Sequence, residues 1–562
     1  MRGLRQRGDV IAVTILLLVL TVLPVVVVLV GSFRPLGLPL TPGWTMKHYA
    51  AIWTSPYTYQ LLANTLLFSA GSTVFAMLIA GTLAWLLERT DVPGAGFFRS
   101  ALIIPMFTPP LLLAMGWVLI ASDKIGIVPA LLRDFGIPSD FNLYSLGGMI
   151  FVQALTATPT SFLILAPVLR NMNPSYEEAA YMSGATFAQT FRKVSIPFLI
   201  PTAISLGTLL VIVTMLAFDI PAIIGMPANI NVMSTEVYYL MNPASGVPSF
   251  GKSAAMNASL FLPLCGALAF YYYFTRKIDQ FTTVSGKAYR ARVLKLGRWK
   301  YAALAVVLSY FFVAVILPVL ALLWMSLLPY FSGFNSEMFS LISLNAYAEV
   351  FQRPQVWRAA GRSLLVASVV SISLTVLSLI IGWMVVRSKW WWVKSLDIMS
   401  MIPLAIPYLM MGVALIFIAL TFRGLGLYGT IWIIALGHIA VFLPISVRMM
   451  QGAVMQIHKE VEEAAFVCGA NRLQIFRRVM VPLIRPSIYS LVIWVVVHSF
   501  REFSIALILR TSSNELLSTL LFSYWESGSS PVAAAISVLL MLALTLIVVI
   551  GGLFGLQGRK LD

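Results

Sequence analysis

Long apolar runs separated by short polar breaks dominate the hydropathy pattern of this 562-residue chain. An α-helix needs roughly 20 apolar residues to cross a bilayer core, whereas membrane-spanning β-strands would be short and alternating. The pattern predicts an all-α polytopic membrane protein with twelve transmembrane helices in two parallel repeats of six. The predicted spans lie near residues 10–31, 62–87, 99–121, 148–169, 199–220, 251–274, 304–328, 363–386, 398–420, 430–448, 484–509 and 532–555.

The charged residues lie between these spans and predict the topology. Only 10% of the residues are charged, against about 25% in soluble domains. The net charge of +17 comes from Lys and Arg in loops; residues 276–300 hold eight of them against one acid. Cytoplasmic loops carry such an excess, so both termini are predicted to be cytoplasmic. The basic charge therefore indicates membrane orientation, and no nucleic-acid partner is expected.

An internal repeat divides the chain. Residues 177–185 recur as residues 462–470, which lie 285 positions further along, whereas upstream Arg89 recurs as Arg387 at a distance of 298. The change in distance predicts a longer outer loop in the first half, around 122–147. Two halves of six spans each insert with the same orientation, so a pseudo-twofold axis along the membrane normal could carry a shared pore.

The repeat sets the predicted domain boundaries. Residues 1–290 form one six-span unit with a large polar loop near 170–198, and residues 291–562 form a second unit with its loop near 455–483. In each loop, helix-forming residues precede a Gly, and a second amphipathic run then reaches a Pro. This order predicts a short helix, a turn and another short helix that ends at the Pro. Such an element lies against the membrane and offers a docking surface.

These loops resemble the EAA loop of type I binding-protein-dependent ABC permeases, whose pattern is roughly E-A-A-x-x-x-G-A followed later by an aliphatic residue and Pro. One matched copy would also suit an interfacial helix without a partner, but two copies favour docking. The resemblance implies coupling helices that sit in clefts of two ATP-binding subunits, a periplasmic substrate-binding protein and a bacterial inner membrane. The matching residues are Glu178, Ala179, Ala180, Gly184, Pro197, Glu463, Ala464, Ala465, Gly469 and Pro482.

Within that family the chain is similar to the fused two-copy permeases of ferric-iron type. The segment 284–298 resembles their linker, although Ala288 and Ala291 stand where Gly and Pro are commoner. The resemblance implies ferric iron as the first candidate substrate. Thiamine, polyamines, a phosphonate or another small solute remain alternatives, because the binding protein carries most of the substrate selection.

One motif points elsewhere. Residues 246–253 satisfy the phosphate-binding pattern G-x-x-x-x-G-K-S. That loop needs a buried strand before it and a helix after it. Here no strand is predicted upstream, a membrane span follows, and the predicted topology places the segment outside. ATP hydrolysis is therefore expected in a separate subunit, and this chain is expected to have no nucleotide site, catalytic residue or cofactor.

Ionisable residues inside spans are costly and are functional candidates by default. Asp219 lies near the outer end of the fifth span, and the 285-residue repeat pairs it with Ser504. His498, Arg501 and Glu502 lie in the eleventh span, where their spacing predicts one shared helical face on which Glu502 neutralises His498. These four residues either line the translocation path or tie spans together.

The remaining polar residues exclude other functions. The four histidines are scattered and have no Cys or carboxylate at metal-ligand spacing, so no metal site is predicted. A secondary transporter driven by an ion gradient could also have two parallel six-span halves. It would leave the two large cytoplasmic loops without a role, so the ABC importer is the favoured interpretation.

Overall fold

A computed structural model describes residues 2–102, 104–123, 126–136, 142–243, 245–281, 293–330, 336–388 and 390–557. Within these ranges the chain is helical and forms no β-sheet; only an isolated bridge pairs Thr90 with Leu294. The proposed boundary at 290/291, most of the linker-like segment and the basic C-terminal tail lie outside the described residues. The all-α fold predicted from the sequence is confirmed.

The helices fall into two series. The first half contains α1 (Arg2–Leu17), α2 (Leu23–Ser32), α3 (Lys47–Trp53), α4 (Pro56–Arg89), α5 (Ala95–Ala101), α6 (Pro110–Ala121), α7 (Ile127–Asp134), α8 (Leu146–Asn171), α9 (Pro174–Met182), α10 (Phe187–Thr190), α11 (Ile196–Met215), α12 (Met233–Met241) and α13 (Phe250–Phe281). The second contains α14 (Trp299–Phe311), α15 (Leu317–Ser326), α16 (Ser336–Ser340), α17 (Asn345–Gln352), α18 (Pro354–Arg387), α19 (Val393–Met401), α20 (Tyr408–Thr421), α21 (Ile431–Met455), α22 (Lys459–Val467), α23 (Arg472–Ile475), α24 (Val481–Leu483), α25 (Arg485–Arg501), α26 (Ser504–Ile508), α27 (Leu517–Glu526) and α28 (Ser530–Gln557).

Three predicted spans are bent. Among the described residues, nine helices are long and apolar enough to cross a bilayer, and three bent pairs raise the number to twelve if each pair is one span. The bends of 94° before α6 and 105° before α20 lie inside the predicted spans 99–121 and 398–420, and the bend of 74° before α25 lies at the first residue of the predicted span 484–509. Proline causes the bend before α20: Ile406, which precedes Pro407, adopts the extended conformation that a following Pro favours.

Four π-helical turns repeat in pairs. They cover Leu18–Val22 and Phe312–Ile316 in the first span of each half, and Phe191–Ser195 and Phe476–Met480 after the polar loops. Each turn is followed two residues later by a Pro, at position 24, 318, 197 or 482. Because Pro lacks an N–H and crowds the carbonyl four residues earlier, a wider turn before it relieves both problems.

These turns correct one prediction. The first polar loop was expected to end in a short helix that stops at Pro197. Instead, the helix continues through the π-turn from Phe187 to Met215 as one 29-residue span. Pro197 lies in the first turn of α11, where a missing N–H costs little. In the second half the helix does end at Leu483, just after Pro482.

The two halves interlock. In each half a long helix packs along a partner, α4 along α8 and α18 along α21. The first span of each half lies against the other half, α2 against α20 and α15 against α6. The approach is close at Gly116 of α6, where an added Cβ would lie 2.6 Å from the carbonyl oxygen of Pro318. The halves therefore share one core.

Side-chain contacts follow the same repeat. The hydroxyls of Ser32 and Tyr49 lie 2.9 Å apart in the first half. In the second half, Ser326 and Tyr347 make the equivalent contact at 2.7 Å. The spacing and contacts of the two halves therefore agree to the level of single hydrogen bonds.

Leucine and valine side chains on the outer faces mark the surface toward lipid. Leu67 and Leu78 of α4 are exposed, and so are Leu365 and Val376, the residues 298 positions later on α18. A helix surface with exposed large aliphatic residues is stable in hydrocarbon and costly in water. The long helices α4 and α18 therefore face the bilayer on one side and the protein core on the other.

Candidate functional site

Each EAA-like motif forms a short surface helix that ends in a left-handed glycine. The helices are α9 and α22, and Gly184 (φ 80°) and Gly469 (φ 84°) follow them. In the first copy the Gly184 N–H donates to the Tyr181 carbonyl (2.9 Å) and the Ala185 N–H to the Ala180 carbonyl (3.0 Å). This is the Schellman ending, in which glycine is favoured because a Cβ is strained at positive φ. No atom lies within 4 Å of a Cβ built on either glycine, so backbone conformation, and not steric crowding, explains the residue.

The second glutamate and the alanines of each motif face outward. Glu178 and Ala179 are exposed and Ala180 is partly exposed, and Glu463, Ala464 and Ala465 repeat this pattern. At the end of α9, Met182 is 90% exposed, and its counterpart Val467 at the end of α22 is 86% exposed. Two apolar side chains at equivalent positions, next to small residues and an acid, form an uncovered surface of the kind that marks a protein contact.

The first glutamate of each motif has a different role, which the sequence did not predict. Glu177 is buried and forms an ion pair with Arg89 at the end of α4, and it accepts a hydrogen bond from Ser195 (3.0 Å). Arg89 also reaches the Leu169 carbonyl of α8 (3.5 Å). The arginine thus connects the end of one long helix, the end of another and the EAA helix. We call this set of contacts the arginine clasp.

The second half repeats the arginine clasp. The Arg387 Nε lies 2.5 Å from the Glu462 carboxylate, and its Nη2 donates to the carbonyls of Ile457 (2.6 Å) and Val454 (3.3 Å). Val454 is the repeat counterpart of Leu169. A signal was present in the sequence, because Arg and Glu both recur in the repeat, but the two recur at different distances and their contact could not be read from spacing.

Residues that are equivalent in the repeat meet on the pseudo-twofold axis. The rings of Phe218 and Phe503, separated by 285 positions, stack with centroids 5.8 Å apart. Ser504 Oγ donates to Asp219 Oδ1 at 3.4 Å, again across 285 positions. Two equivalent residues can touch each other only near the axis that relates them, so these contacts locate the axis.

The aromatic stack extends symmetrically on both sides. Tyr238 of α12 packs against Phe218 with ring centroids 5.5 Å apart, and Phe522 of α27 packs against Phe503 at 4.9 Å. Phe218, Phe503 and Phe522 are almost fully buried. We call these four rings the axial stack. It closes the axis on the side of the protein opposite to α9 and α22, since the span α11 separates α9 from α12.

Glu502 corrects the predicted helical face. The helix α25 ends at Arg501, and Glu502 has an extended backbone (φ −67°, ψ 122°). Its carboxylate accepts hydrogen bonds from the N–H groups of Ile505 (2.7 Å) and Ala506 (3.2 Å) at the start of α26. Glu502 Oε2 also lies 3.0 Å from the Nε2 of His438. The carboxylate is therefore fully engaged in holding the break between α25 and α26.

The predicted pairing of Glu502 with His498 is also wrong. His498 stacks on Trp494 with ring centroids 4.1 Å apart, and its Nδ1 lies 2.9 Å from the Trp494 carbonyl oxygen. The partner of Glu502 is His438 of α21, which lies between Glu502 and the hydroxyl of Ser499 (3.0 Å). No pattern in the sequence singled out His438, because its contact with α25 depends on how two spans pack.

Arg501 connects the two halves. Its guanidinium donates to the Met106 carbonyl, near the bend that precedes α6 of the first half. It also lies within electrostatic range of Asp219 and of the Tyr408 hydroxyl at the start of α20. In the first half the positions equivalent to Arg501 and Glu502 are Leu216 and Ala217. The polar groups beside the axis therefore come mainly from the second half.

A cavity of about 550 Å³ opens outside the axial stack. It lies between α12 and α27, whose N-termini are held alike: the Met233 N–H donates to Thr65 (3.0 Å) and the Leu517 N–H donates to Ser363 (2.9 Å). The residues that line it are Ala222, Ile223, Met226, Pro227, Tyr238, Tyr239, Asn242, Phe522, Trp525 and Glu526. We call this space the outer cavity.

The ionisable groups of the outer cavity influence each other. Partial desolvation raises the pKa of the Glu526 carboxyl, and the charge of Arg510 opposes part of that rise. Desolvation likewise raises the pKa of Tyr238 and Tyr239, and the negative charge of Glu526 raises both further. Both phenols therefore lie within electrostatic range of one carboxylate.

The loop that resembles a phosphate-binding motif has a different setting. It follows helix α12 and leads into the span α13, and the Ser249 N–H donates to the Leu240 carbonyl (2.8 Å). In the described part of the chain, no cluster of three or more His, Cys, Asp or Glu side chains could hold a metal ion.

The chain contains two copies of one membrane unit, with two surface helices on one side and a closed axis on the other. This arrangement is that of a transport permease. The sequence profile of the family described as "Binding-protein-dependent transport system inner membrane component" matches residues 72–280 and 374–561. The chain belongs to this family and is the permease of an ABC importer.

Individual relatives cover nearly the whole chain. The ferric transport system permease protein of Actinobacillus pleuropneumoniae is 25% identical over 96% of this chain and 77% of its own length. A putative ferric transport system permease protein of Haemophilus influenzae is 26% identical over 91% of this chain and 78% of its own length. A crystal structure of a bacterial alginate ABC transporter with its periplasmic protein is 18% identical, covers 45% of this chain and 91% of that one, and has a TM-score of 0.38.

Proposed function

We propose that this permease imports ferric iron, which a periplasmic binding protein delivers, and that two copies of a separate ATP-binding subunit drive the import. The support for iron is that relatives described as ferric transport permeases align with nearly the whole chain at 25% and 26% identity. The support for a binding protein is the description of the family. The location that follows is a bacterial inner membrane with both chain termini in the cytoplasm.

The observation that carries the coupling proposal is the pair of equivalent surface helices with exposed apolar ends. Met182 and Val467 would each enter a cleft of one ATP-binding subunit, and burying such a side chain contributes about 1.5–3 kcal/mol. Glu178 and Glu463 lie beside them, exposed, and would meet basic groups of the partner. One chain offers two such helices, which is why two ATP-binding subunits are proposed.

Each surface helix leads toward the axial stack. In the first half a single helix runs from Phe187 to Met215, which is about 43 Å at 1.5 Å per residue, and Phe218 follows three residues later. In the second half the corresponding path bends by 74° before α25, and Phe503 follows the end of that helix. A movement of α9 would therefore reach the stack through one continuous span, and a movement of α22 through a bent one.

The proposed path crosses the axial stack and passes the polar groups beside it. Asp219 and Arg501 lie close enough to the axis to meet a solute there. Glu502 would act through its neighbours, because its carboxylate already holds α26 and His438. His498 lies beside the same segment, stacked on Trp494.

Reconstituted transport tests the proposal. The permease, the ATP-binding subunit and the binding protein from the same source would be assembled in liposomes, and ATP-dependent uptake would be measured for ferric iron, thiamine, a polyamine and a phosphonate. We expect uptake of iron alone. Uptake of another solute would overturn the iron assignment, and uptake without ATP, driven by an ion gradient, would overturn the proposed coupling.

Charge reversal tests the coupling surface. We expect Glu178→Arg and Glu463→Arg each to lower ATP-driven uptake at least tenfold while the permease keeps its thermal stability, because both side chains are exposed. The double variant should be worse than either single variant. Wild-type uptake by both single variants would show that these helices do not dock.

A further inference from the structure

The outer cavity contains two pairs of residues that are equivalent in the repeat but differ in chemistry. Residues of α12 and α27 correspond at a distance of 284 positions, so Tyr238 corresponds to Phe522 and Asn242 to Glu526. All four line the cavity. The cavity therefore lies on the pseudo-twofold axis, directly outside the axial stack, where any solute that enters along the axis must pass.

The polar atoms of the cavity are not needed for packing. Phe522 shows that a phenyl ring is sufficient at the position of Tyr238, because it packs on Phe503 as closely as Tyr238 packs on Phe218. The phenol oxygen of Tyr238 is thus an addition to the symmetric stack. Tyr239, whose counterpart is Ser523, adds a second phenol.

Oxygen is the common feature of the donors. Two phenols, the Glu526 carboxylate and the Asn242 side-chain amide belong to the lining, His and Cys do not, and the thioether of Met226 is a soft ligand that a hard cation does not favour. Small cations of high charge favour such hard oxygen ligands. The Asn242 amide nitrogen lies 3.4 Å from the Tyr238 carbonyl oxygen, to which it donates.

We propose that the outer cavity is a transit site in which Tyr238, Tyr239 and Glu526 bind a trivalent hard cation, such as ferric iron, before the axial stack opens. This inference rests on the proposed function. On binding, each phenol releases its proton to water and its oxygen displaces a water or chelator oxygen from the iron, while the Glu526 carboxylate displaces a further one. The iron stays in the ferric state throughout, so the step needs no electron donor.

Neighbouring charges set the conditions for binding. Desolvation raises the pKa of the Glu526 carboxyl, and the positive charge of Arg510 offsets part of that rise. Arg510 also donates a hydrogen bond to Ser523 and lies 4.0 Å from the Glu515 carboxylate. Glu236 adds negative charge near Tyr239, and Lys252 partly offsets the charge of Glu236. Because binding releases phenol protons and needs an ionised Glu526, the affinity for iron should fall as the pH decreases.

The test uses the assembled transporter in lipid nanodiscs, titrated with ferric nitrilotriacetate. Phenolate bound to ferric iron absorbs visible light through charge transfer, so we expect a saturable visible band from one iron per transporter. Tyr238→Phe, Tyr239→Phe and Glu526→Gln should each weaken this binding at least tenfold. The matched control is Tyr59→Phe, an exposed tyrosine outside the cavity lining that donates to the Trp53 carbonyl, and it should leave the band unchanged.

Two further measurements separate the possible outcomes. The thermal stability of the variants shows whether a lost band reflects unfolding. Binding of the iron-free binding protein to the variants shows whether the cavity residues serve to dock that protein and not to bind iron. A wild-type transporter that imports iron without a phenolate band, or variants that retain it, would refute the transit site. Loss of binding-protein docking in the three variants would assign the cavity to docking instead. Failure of the wild type to import iron would refute the proposed function.

Discussion

The arginine clasp gives the sharpest test of how the coupling helices are held. Glu177→Ala removes the carboxylate that faces Arg89, and Glu462→Ala removes the one that faces Arg387. Both changes keep a residue that favours helix, so the helices α9 and α22 should still form. What should change is the attachment of each helix to the membrane spans.

The structure sets different magnitudes for the two copies. Arg89 and Glu177 have 2% and 8% of their side-chain surface exposed, against 12% and 16% for Arg387 and Glu462. Removing one partner of a buried ion pair costs about 3–5 kcal/mol. Arg387 keeps two carbonyl partners, so losing one charged hydrogen bond there should cost about 1.5–3 kcal/mol. At 1.4 kcal/mol for each factor of ten, the ratio of detached to attached helix should rise at least about 100-fold for Glu177→Ala and at least about tenfold for Glu462→Ala.

The chain offers its own probe for this measurement. Cys468 is exposed and directly follows α22, and its repeat counterpart is Ser183, directly after α9. Ser183→Cys therefore gives a matched thiol in the first half, with Cys265→Ser as the background. Both positions are exposed in the permease, so labelling by a bulky maleimide in the assembled transporter would report how often the helix leaves the proposed cleft of the ATP-binding subunit. A helix that detaches from the spans should leave that cleft more often, so we expect labelling to rise, and to rise more in Glu177→Ala than in Glu462→Ala.

The exposed neighbours provide the control. Glu178→Ala and Glu463→Ala leave both clasps intact, so the thermal stability of the permease should stay at the wild-type value in these variants. Labelling in Glu177→Ala within twofold of wild type, with normal retention of the ATP-binding subunit, would refute the idea that Arg89 anchors the helix. An effect larger in Glu462→Ala than in Glu177→Ala would refute the reasoning from burial.

Two further predictions concern the axis and the topology. Asp219→Asn should lower uptake about tenfold while the transporter remains assembled, and wild-type uptake by this variant would remove Asp219 from the path. Glu502→Gln should lower the melting temperature of the permease, because the Glu502 carboxylate holds the start of α26. Ser249→Cys should be labelled by an impermeant thiol reagent in intact spheroplasts, and labelling only after membrane rupture would reverse the predicted orientation of the first half. Lys252→Ala should leave ATP hydrolysis by the assembled transporter intact.

The sequence predicted the features that depend on composition and repetition. The length of the apolar runs identified the spans, and the repeated sequence motif identified the two halves and the outward-facing Glu178 and Glu463. These features follow from local order along the chain, because a helix that crosses lipid must be apolar over its whole length. The glycines after α9 and α22 were also expected to turn the chain.

The features that depend on packing between distant segments were not predictable in this way. Hydropathy does not register the bends before α6 and α20, because both arms of each bend are largely apolar. The i, i+4 spacing placed Glu502 on a helix that in fact ends one residue earlier, and the competing attraction was the pair of N–H groups at the start of α26. His438 and the outer cavity depend on which spans become neighbours.

The contact between Asp219 and Ser504 has a consequence for how such a protein can be built. If two identical copies of the first half formed a dimer, position 219 would face itself, and two carboxylates would meet across the axis and repel each other. A single chain that encodes both halves can place an acid on one side and a hydroxyl on the other. Covalent fusion thus permits a single carboxyl group at the centre of symmetry, where a homodimer would have to place two.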